Sequence, residues 1–395
     1  MAYETLEPVL SKLFNICLHI SHYPLKWKVA KITVLKKPNK ETYKTPKSFR
    51  PISVLNTLGK IFEKIIYERI NWLSKENMWL KDNQHGFREG KGTESAMHSL
   101  AQTIEGNLSK KELTAVLFLD ISGAFDCAWP SAILAALAKR KCPGYLIRLI
   151  KSLFENRMAC LVHGHGIFLY QVMIGCPQGG ILSLFLWIIL AEELINPCFD
   201  FAFKIISYAD DIALISMHKV LEIAIKNLQQ MSDKVFQNCV DVLLEINSQK
   251  SNFMIFSKTL IEGNFNIKIN HVPIKPSALT EFVVFYLDPK LNWAQHIEGK
   301  CNATQRIIHY LKCCLRRTWG LNTNTLTALY KSIVIPKLLY GCAVWCKAIT
   351  KKSNVKKLIR IQREMLMSIT RSFKSASLLP FYSLFPTFCS LNSKY

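Results

Sequence analysis

The chain has 395 residues, half of them hydrophobic, and carries a formal net charge of +23 with a pI near 9.5. That much apolar material excludes a disordered polyelectrolyte and is enough for two or three lobes with cores of their own. The charge favours a polyanionic partner. The apolar run Ile181 to Ala191 is ended by Glu192-Glu193 and is too short to span a bilayer. Met1-Ala2-Tyr3-Glu4 lacks the regions of a secretory signal. The expectation is an intracellular protein, nuclear or cytoplasmic, not secreted and not membrane-bound.

In chain order, a helix is expected near 3–20 and a strand near 29–36. Helices follow near 57–74 and 93–108. The middle of the chain is expected to hold strands near 113–120, 203–208 and 211–216, with helices near 131–157 and 179–195 between them. Val220, Ile223, Ala224, Leu228, Met231, Val235, Cys239 and Val242 recur at helical spacing and predict one core-facing stripe. Strands near 252–257 and 280–287 come next, then helices near 293–316, 323–340 and 352–370. His163-Gly164-His165 reads as a hairpin loop, and Phe381 to Cys389 as a frayed tail. Positive charge is concentrated. Lys26 to Arg50 holds nine Lys/Arg against Glu41, and Lys290 to Tyr395 holds eighteen against Glu298 and Glu364. The second stretch is interleaved with Trp293, Tyr310, Trp319, Tyr330, Tyr340 and Trp345, so it reads as a folded helical grip on a phosphate backbone.

Three segments carry chemistry. Tyr208-Ala209-Asp210-Asp211 lies between two β-prone runs and predicts an acidic turn at a hairpin tip. Adjacent carboxylates repel, so a cation is expected to hold them, and Mg²⁺ is the usual one beside phosphates. Thr114 to Leu119 is a continuous apolar run ending in Asp120, as in a strand buried on both faces. If these strands pair, three carboxylates converge as two-metal phosphoryl transfer requires. Gly175-Cys176-Pro177-Gln178-Gly179-Gly180 is a rigid turn before an apolar helix, able to press against a flat ligand.

In chain order, the strand ending in Asp120, the Pro177-Gln178-Gly179 turn and the Asp210-Asp211 hairpin resemble motifs A, B and C of the reverse transcriptase family, most closely those of non-LTR, LINE-type retrotransposons of the jockey-like and I-like groups. Further stretches extend the resemblance over roughly residues 10 to 375. They include Val34 to Lys40, Ser48-Phe49-Arg50-Pro51-Ile52-Ser53, Leu58 to Lys64, Gln84-His85-Gly86-Phe87-Arg88, Asn247 to Ser251 as motif D and Leu287 to Trp293 near motif E. The resemblance implies an α+β right-hand polymerase fold. Fingers would run to about 110 and palm from about 111 to 290, with a basic helical thumb at 291–375 and a tail at 376–395. It implies an RNA-directed DNA polymerase joining dNTPs to a DNA primer on an RNA template. Two Mg²⁺ ions, with Mn²⁺ as an alternative, would be held by Asp120, Asp210, Asp211 and the Ile121 carbonyl. It places Arg50 and Arg88 near the triphosphate and Gln178 in the nucleotide pocket. Phe125 becomes the steric gate against a ribose 2′-OH, and Lys250 the proton donor to pyrophosphate. From the residues alone, Arg50 and Arg88 equally read as surface cations and Phe125 as a core aromatic.

The chain also departs from the family pattern. Leu184-Phe185 follow Ser183 where the family usually has proline after the serine, and Val283-Val284 stand where it usually has Leu-Gly. A lost glycine removes conformational freedom. These departures suit an alternative function, that of a catalytically impaired or domesticated fragment that only binds nucleic acid. The span from fingers to thumb is expected to be a fragment or a truncated reading frame, without a nuclease centre. Acids such as Glu63, Glu68 and Glu76 are expected on solvated helix faces. The thirteen cysteines are scattered and form no ligand pairs, which predicts buried free thiols. Oligomeric state is not legible.

Overall fold

Thr114 to Leu119 are each exposed by 5% or less, and this buried strand organises the larger of two compact units. The computed structural model describes residues 2–37, 42–164, 166–195, 203–259, 261, 263–313, 321–370 and 372. His165, Cys314, Trp319 and the segments 38–41 and 376–395, about which the sequence raised expectations, lie outside them.

Unit one covers residues 1–277. It begins with α1 (Ala2–His19), β1 (Val29–Lys36), β2 (Phe49–Val54), α2 (Thr57–Glu76) and α3 (Thr93–Ser109). Next come β3 (Leu113–Asp120), α4 (Ala124–Cys127), α5 (Pro130–Lys139), α6 (Gly144–Phe154), β4 (Arg157–His163) and β5 (Gly166–Val172). It ends with α7 (Ile181–Ile195), β6 (Phe203–Tyr208), β7 (Asp211–His218), α8 (Leu221–Asp241), β8 (Asn252–Phe256) and the small hairpin of β9 (Ile267–Ile269) and β10 (Val272–Ile274).

An antiparallel sheet of order β6-β7-β3-β8 has α8 packed on β3 and β7, and α3 packed on β3 and β6. A sheet covered on both faces needs continuous rather than alternating hydrophobicity, which is the pattern of β3. The second sheet, β2-β1-β4-β5, is mixed, with β1 and β4 parallel. Of its strands β1 was expected, and β4 and β5 pair antiparallel across the segment read as a hairpin loop. Strands β4 and β5 are half exposed and lack a clean period-two pattern. Trp187, Ile188, Ile189 and Leu190 of α7 are fully buried between α2, α5 and α8, and each contributes roughly 1.5–3 kcal/mol. That helix is apolar all round because it is a core helix.

Several expectations are corrected. The helix expected over 131–157 breaks into α5 and α6, because Pro143 cannot continue a helix and Lys141 takes φ +56°. The strand stretch expected at 280–287 is two short paired strands turning at Val283-Val284. On α8, Ala224, Leu228, Met231, Val235 and Cys239 are buried, whereas Val220 precedes the helix and is exposed, as is Ile223. The helix expected over 179–195 is α7, and Glu192, just past its apolar run, is buried within it.

Unit two, residues 278–395, contains the hairpin β11 (Thr280–Phe282) and β12 (Phe285–Leu287), then α9 (Ala294–Cys313), α10 (Thr323–Leu329), α11 (Ile335–Leu339), α12 (Cys342–Trp345) and α13 (Lys352–Thr370). A π-helical turn, Tyr330–Val334, joins α10 to α11 just before Pro336. Widening the helix there is a known way to absorb a proline ring. Asp288 organises the start of α9 by accepting from the Lys290, Asn292 and Trp293 N–H groups at 3.0–3.1 Å. His296 stacks on Phe285 at 4.9 Å, and burial holds its pKa at about 4, so it is a neutral core residue. Lys312–Glu364 and Lys357–Glu298 tie α9 to α13. Among the described residues no single helix is long and apolar enough to cross a membrane. The bent pair Thr323–Leu339 and Cys342–Thr350 meets that length and composition only when taken together. None of the ten described cysteines is in a disulfide, and five of them are buried.

Candidate active site

Strands β6 and β7 pair from Phe203↔Ser216 to Tyr208↔Asp211, which leaves Ala209-Asp210 as a two-residue turn. Ala209 takes φ +57° at the first turn position, a conformation that ordinarily selects glycine. Strand β3 ends with Asp120 opposite Asp211. Asp120 uses its N–H on Ser251 Oγ at 3.3 Å and its carbonyl on the Asn247 N–H at 2.8 Å, both on the β8 side. Asp120 and Asp211 are therefore a non-hydrogen-bonded pair, the closer of the two antiparallel kinds, with Cα atoms typically about 4.5 Å apart and side chains on one face. The same alternation turns the Ile121 carbonyl away from Ile246 and toward the Asp210-Asp211 side.

The electrostatics match this convergence. Burial pushes the Asp210 carboxyl up, and the Asp120 charge pushes it further, while its own backbone N–H, Arg50 and Lys250 pull it down. Lys250 Nζ lies 3.1 Å from Asp120 Oδ2. A cation is thus already drawn to the place where the carboxylates meet. Among the described residues no three His, Cys, Asp or Glu side chains are grouped closely enough to ligate one ion, with the Lys250 ammonium on Asp120. The donor set of hard carboxylate and carbonyl oxygens fits Mg²⁺ or Mn²⁺.

The Gly175–Gln178 turn is fastened on both sides. The Gly175 and Cys176 N–H groups donate to the Ala128 and Phe125 carbonyls at 2.8 and 2.7 Å. The Gln178 carbonyl accepts the Ser53 N–H at 2.7 Å, and Gln178 Nε2 donates to Asp126 Oδ1 at 2.8 Å. A Cβ at Gly179 would lie 2.5 Å from the Ser53 oxygen, so that close approach requires glycine. Phe125 is half-buried between Trp187, at 5.4 Å between ring centroids, and Phe87, at 6.2 Å. Arg50 is exposed on β2, and its charge reaches Asp210. The structure therefore sets Asp120 opposite Asp211, with Lys250 on Asp120 and the charges of Asp120, Arg50 and Lys250 acting on Asp210. Arg88 is engaged by its own loop, where Nη1 donates to the Lys81 and Gln84 carbonyls.

Two supports were missed from sequence. Asn83 to Gly86 forms a wedge behind the acidic turn. His85 N–H donates to the Ser207 carbonyl at 2.7 Å, and Ser207 N–H to the Asn83 carbonyl at 2.9 Å. A Cβ at Gly86 would fall 2.3 Å from the Ala209 nitrogen. Glu63 is not on a solvated face. It is 1% exposed, burial raises its pKa, and its carboxylate accepts the Leu182 N–H at 3.2 Å, capping α7 from another helix. Helical spacing alone gives no sign of such a cap in trans.

The family model described as reverse transcriptase (RNA-dependent DNA polymerase) matches residues 35–313. A Drosophila melanogaster protein named "Probable RNA-directed DNA polymerase from transposon BS" is 28% identical over 91% of this chain and 40% of its own length. The RNA-directed DNA polymerase from the mobile element jockey of the same species is also 28% identical over 91% of this chain and 40% of its length. The chain thus spans about 40% of the length of the curated relatives it matches. Among solved structures, apo telomerase of Candida tropicalis truncated from its C-terminal domain is similar at a TM-score of 0.47 and 13% identity, over 66% of this chain and 53% of that one.

Proposed function

The chain belongs to the reverse transcriptase family, which has the right-hand polymerase fold, and from that premise we propose that it extends a DNA primer with deoxynucleotides on an RNA template. We assign residues up to about 290 to fingers and palm and the helical region 291–375 to the thumb. The observation that carries the reading is the Asp120–Asp211 pair beside the Asp210 turn. Asp120, Asp210, Asp211 and the Ile121 carbonyl would hold two divalent ions. When bound, these supply charge that lowers the pKa of the primer hydroxyl and stabilises the pyrophosphate leaving group.

The remaining work falls to the chain's own side chains. Arg50, whose charge reaches Asp210, is suited to the triphosphate. Lys250, displaced from Asp120, is suited to protonating the leaving pyrophosphate. Gln178, released from Asp126, would line the nucleotide's flat face. The exposed edge of Phe125 would occupy the volume a 2′-OH needs.

The test is primer extension by the purified chain on a homopolymeric RNA template with Mg²⁺. Extension is expected. Asp210→Asn should abolish it while template binding persists, because the change removes charge at the ion site and not the grip on the duplex. Phe125→Val should raise ribonucleotide use relative to deoxyribonucleotide. A second reading, a binding-only relic, is favoured by one observation. The β11–β12 turn carries valines in left-handed backbone where the family usually has Leu-Gly. Template binding without extension by the unsubstituted chain would establish that reading over the first.

A further inference from the structure

A cavity of about 270 Å³ lies within unit one, behind the Gly175–Gln178 turn. Its apolar wall includes Trp27, Ala30, Ile32, Pro51, Leu153 and Met158. Strand alternation places it away from the acidic site. Pro51 and Ser53 line it, whereas Arg50, between whose charge and Asp210 the attraction runs, projects from the other face of β2.

The polar groups of the lining are unequally satisfied. Its acids have donors: Glu63 takes the Leu182 N–H, and Asp126 takes Gln178 Nε2. Its cations do not have matching acceptors. Arg157 is only 6% exposed; Nη2 donates to the Ile174 carbonyl at 3.0 Å, but Nε is buried with no hydrogen-bond partner. Lys28 is 5% exposed, and among the described residues the acid charge acting on it is that of Glu155. A buried donor left unpaired costs about 1–3 kcal/mol, more when charged. The unspent capacity of this cavity is for an acceptor bearing negative charge, enclosed by apolar walls of the kind that small-molecule sites use.

We propose that this cavity is a binding site for a small organic carboxylate with a flat apolar body, its carboxylate accepting from Lys28 and from the Arg157 guanidinium and its body lying against Trp27 and Met158. Arg157 suits a planar carboxylate because its guanidinium presents donors in a fixed fork. The wall shared with Gly175, Cys176 and Gln178 means that an occupant braces this turn from the side opposite the acidic site.

The site can be tested without any activity of the protein. Benzoate serves as the probe and benzamide as its uncharged counterpart, with binding to the full chain read by ligand-observed NMR and calorimetry. Benzoate should bind saturably and benzamide at least about tenfold more weakly, a difference of about 1.4 kcal/mol. Arg157→Met should weaken benzoate by a similar factor. Bound benzoate should also slow amide exchange at Gly175 and Cys176. Because removing a buried arginine can unfold the chain, Ala159→Leu provides the second variant. It fills the cavity from its wall without touching a charge and should abolish binding in a chain that still melts cooperatively. Equal affinity for benzoate and benzamide, or benzoate binding that survives Ala159→Leu, would overturn the proposal, as would no saturable binding at all.

Discussion

At the scale of single residues, the acidic turn depends on a side chain that is absent. Gly86 lets the Asn83–Gly86 segment lie directly on Ala209, and a methyl group there would meet the Ala209 nitrogen at 2.3 Å. Backbone cannot yield as a flexible side chain does, so Gly86→Ala should cost about 1–3 kcal/mol of stability. It should also cut primer extension by displacing Asp210. Urea denaturation and extension assays check both, and a wild-type midpoint would show that the wedge carries no strain. Glu192 offers a pH test. Burial pushes its carboxyl up from 4.5 to about 7, partly offset by Arg140, Lys81 and the Lys81 N–H. Between those values the folded chain holds a proton that the unfolded chain has lost. Stability therefore falls as pH rises from about 4.5 to 7, by up to about 3 kcal/mol from this group. In Glu192→Gln, urea midpoints measured across that range should lose this component of the slope. An unchanged slope would mean that other groups set it.

At the scale of elements, two hairpins use the same kind of turn with opposite chemistry. Between β9 and β10, Asn270 and His271 take φ +47° and +64°. Between β11 and β12, Val283 and Val284 take +48° and +71°. Positive φ at both central positions marks a type I′ turn, which asparagine accepts and β-branched residues resist. Strain at such a position is of order 1–3 kcal/mol. Val284 is 55% exposed, so replacing it sacrifices little burial. Val284→Gly should stabilise unit two by about 1 kcal/mol after the entropy that glycine adds to the unfolded chain. Slower amide exchange across β11 and β12 is the readout, and faster exchange would mean that the valine contacts outweigh the backbone strain. The sequence marked Val283-Val284 as a departure. It could not show that both residues are forced into left-handed backbone, because that follows from the Phe282↔Phe285 pairing.

At the scale of the whole molecule, charge sets the expected behaviour toward nucleic acid. Lys352, Lys356 and Arg360 form an exposed i, i+4, i+8 ridge on α13, while Leu358, Ile361, Met365 and Ile369 are buried on its other side. With six to ten phosphate contacts, affinity for an RNA–DNA duplex should fall on the order of 10³–10⁵ between about 50 and 200 mM salt. Replacing the three ridge cations by glutamine should lower the slope of log affinity against log salt by about 3. Filter binding across a salt series measures it, and an unchanged slope would move the main grip to the other basic stretch, between Lys26 and Arg50.

The chain's order of acids, its turn chemistry and its hydrophobic periods were enough to mark Asp120, Asp210 and Asp211, most long helices and the charge of the C-terminal region, because these are local properties. An apolar run ending in an acid and an Asp-Asp turn carry their meaning in a few adjacent residues. The register that sets Asp120 opposite Asp211, the Gly86 wedge, the cap that Glu63 provides to α7, the parallel pairing of β1 with β4, and the cavity around Arg157 had no local signature. Each arises where segments distant in sequence meet. Whether a glutamate is solvated or caps a distant helix, and whether a glycine is slack or wedged against backbone, is decided by what packs against it.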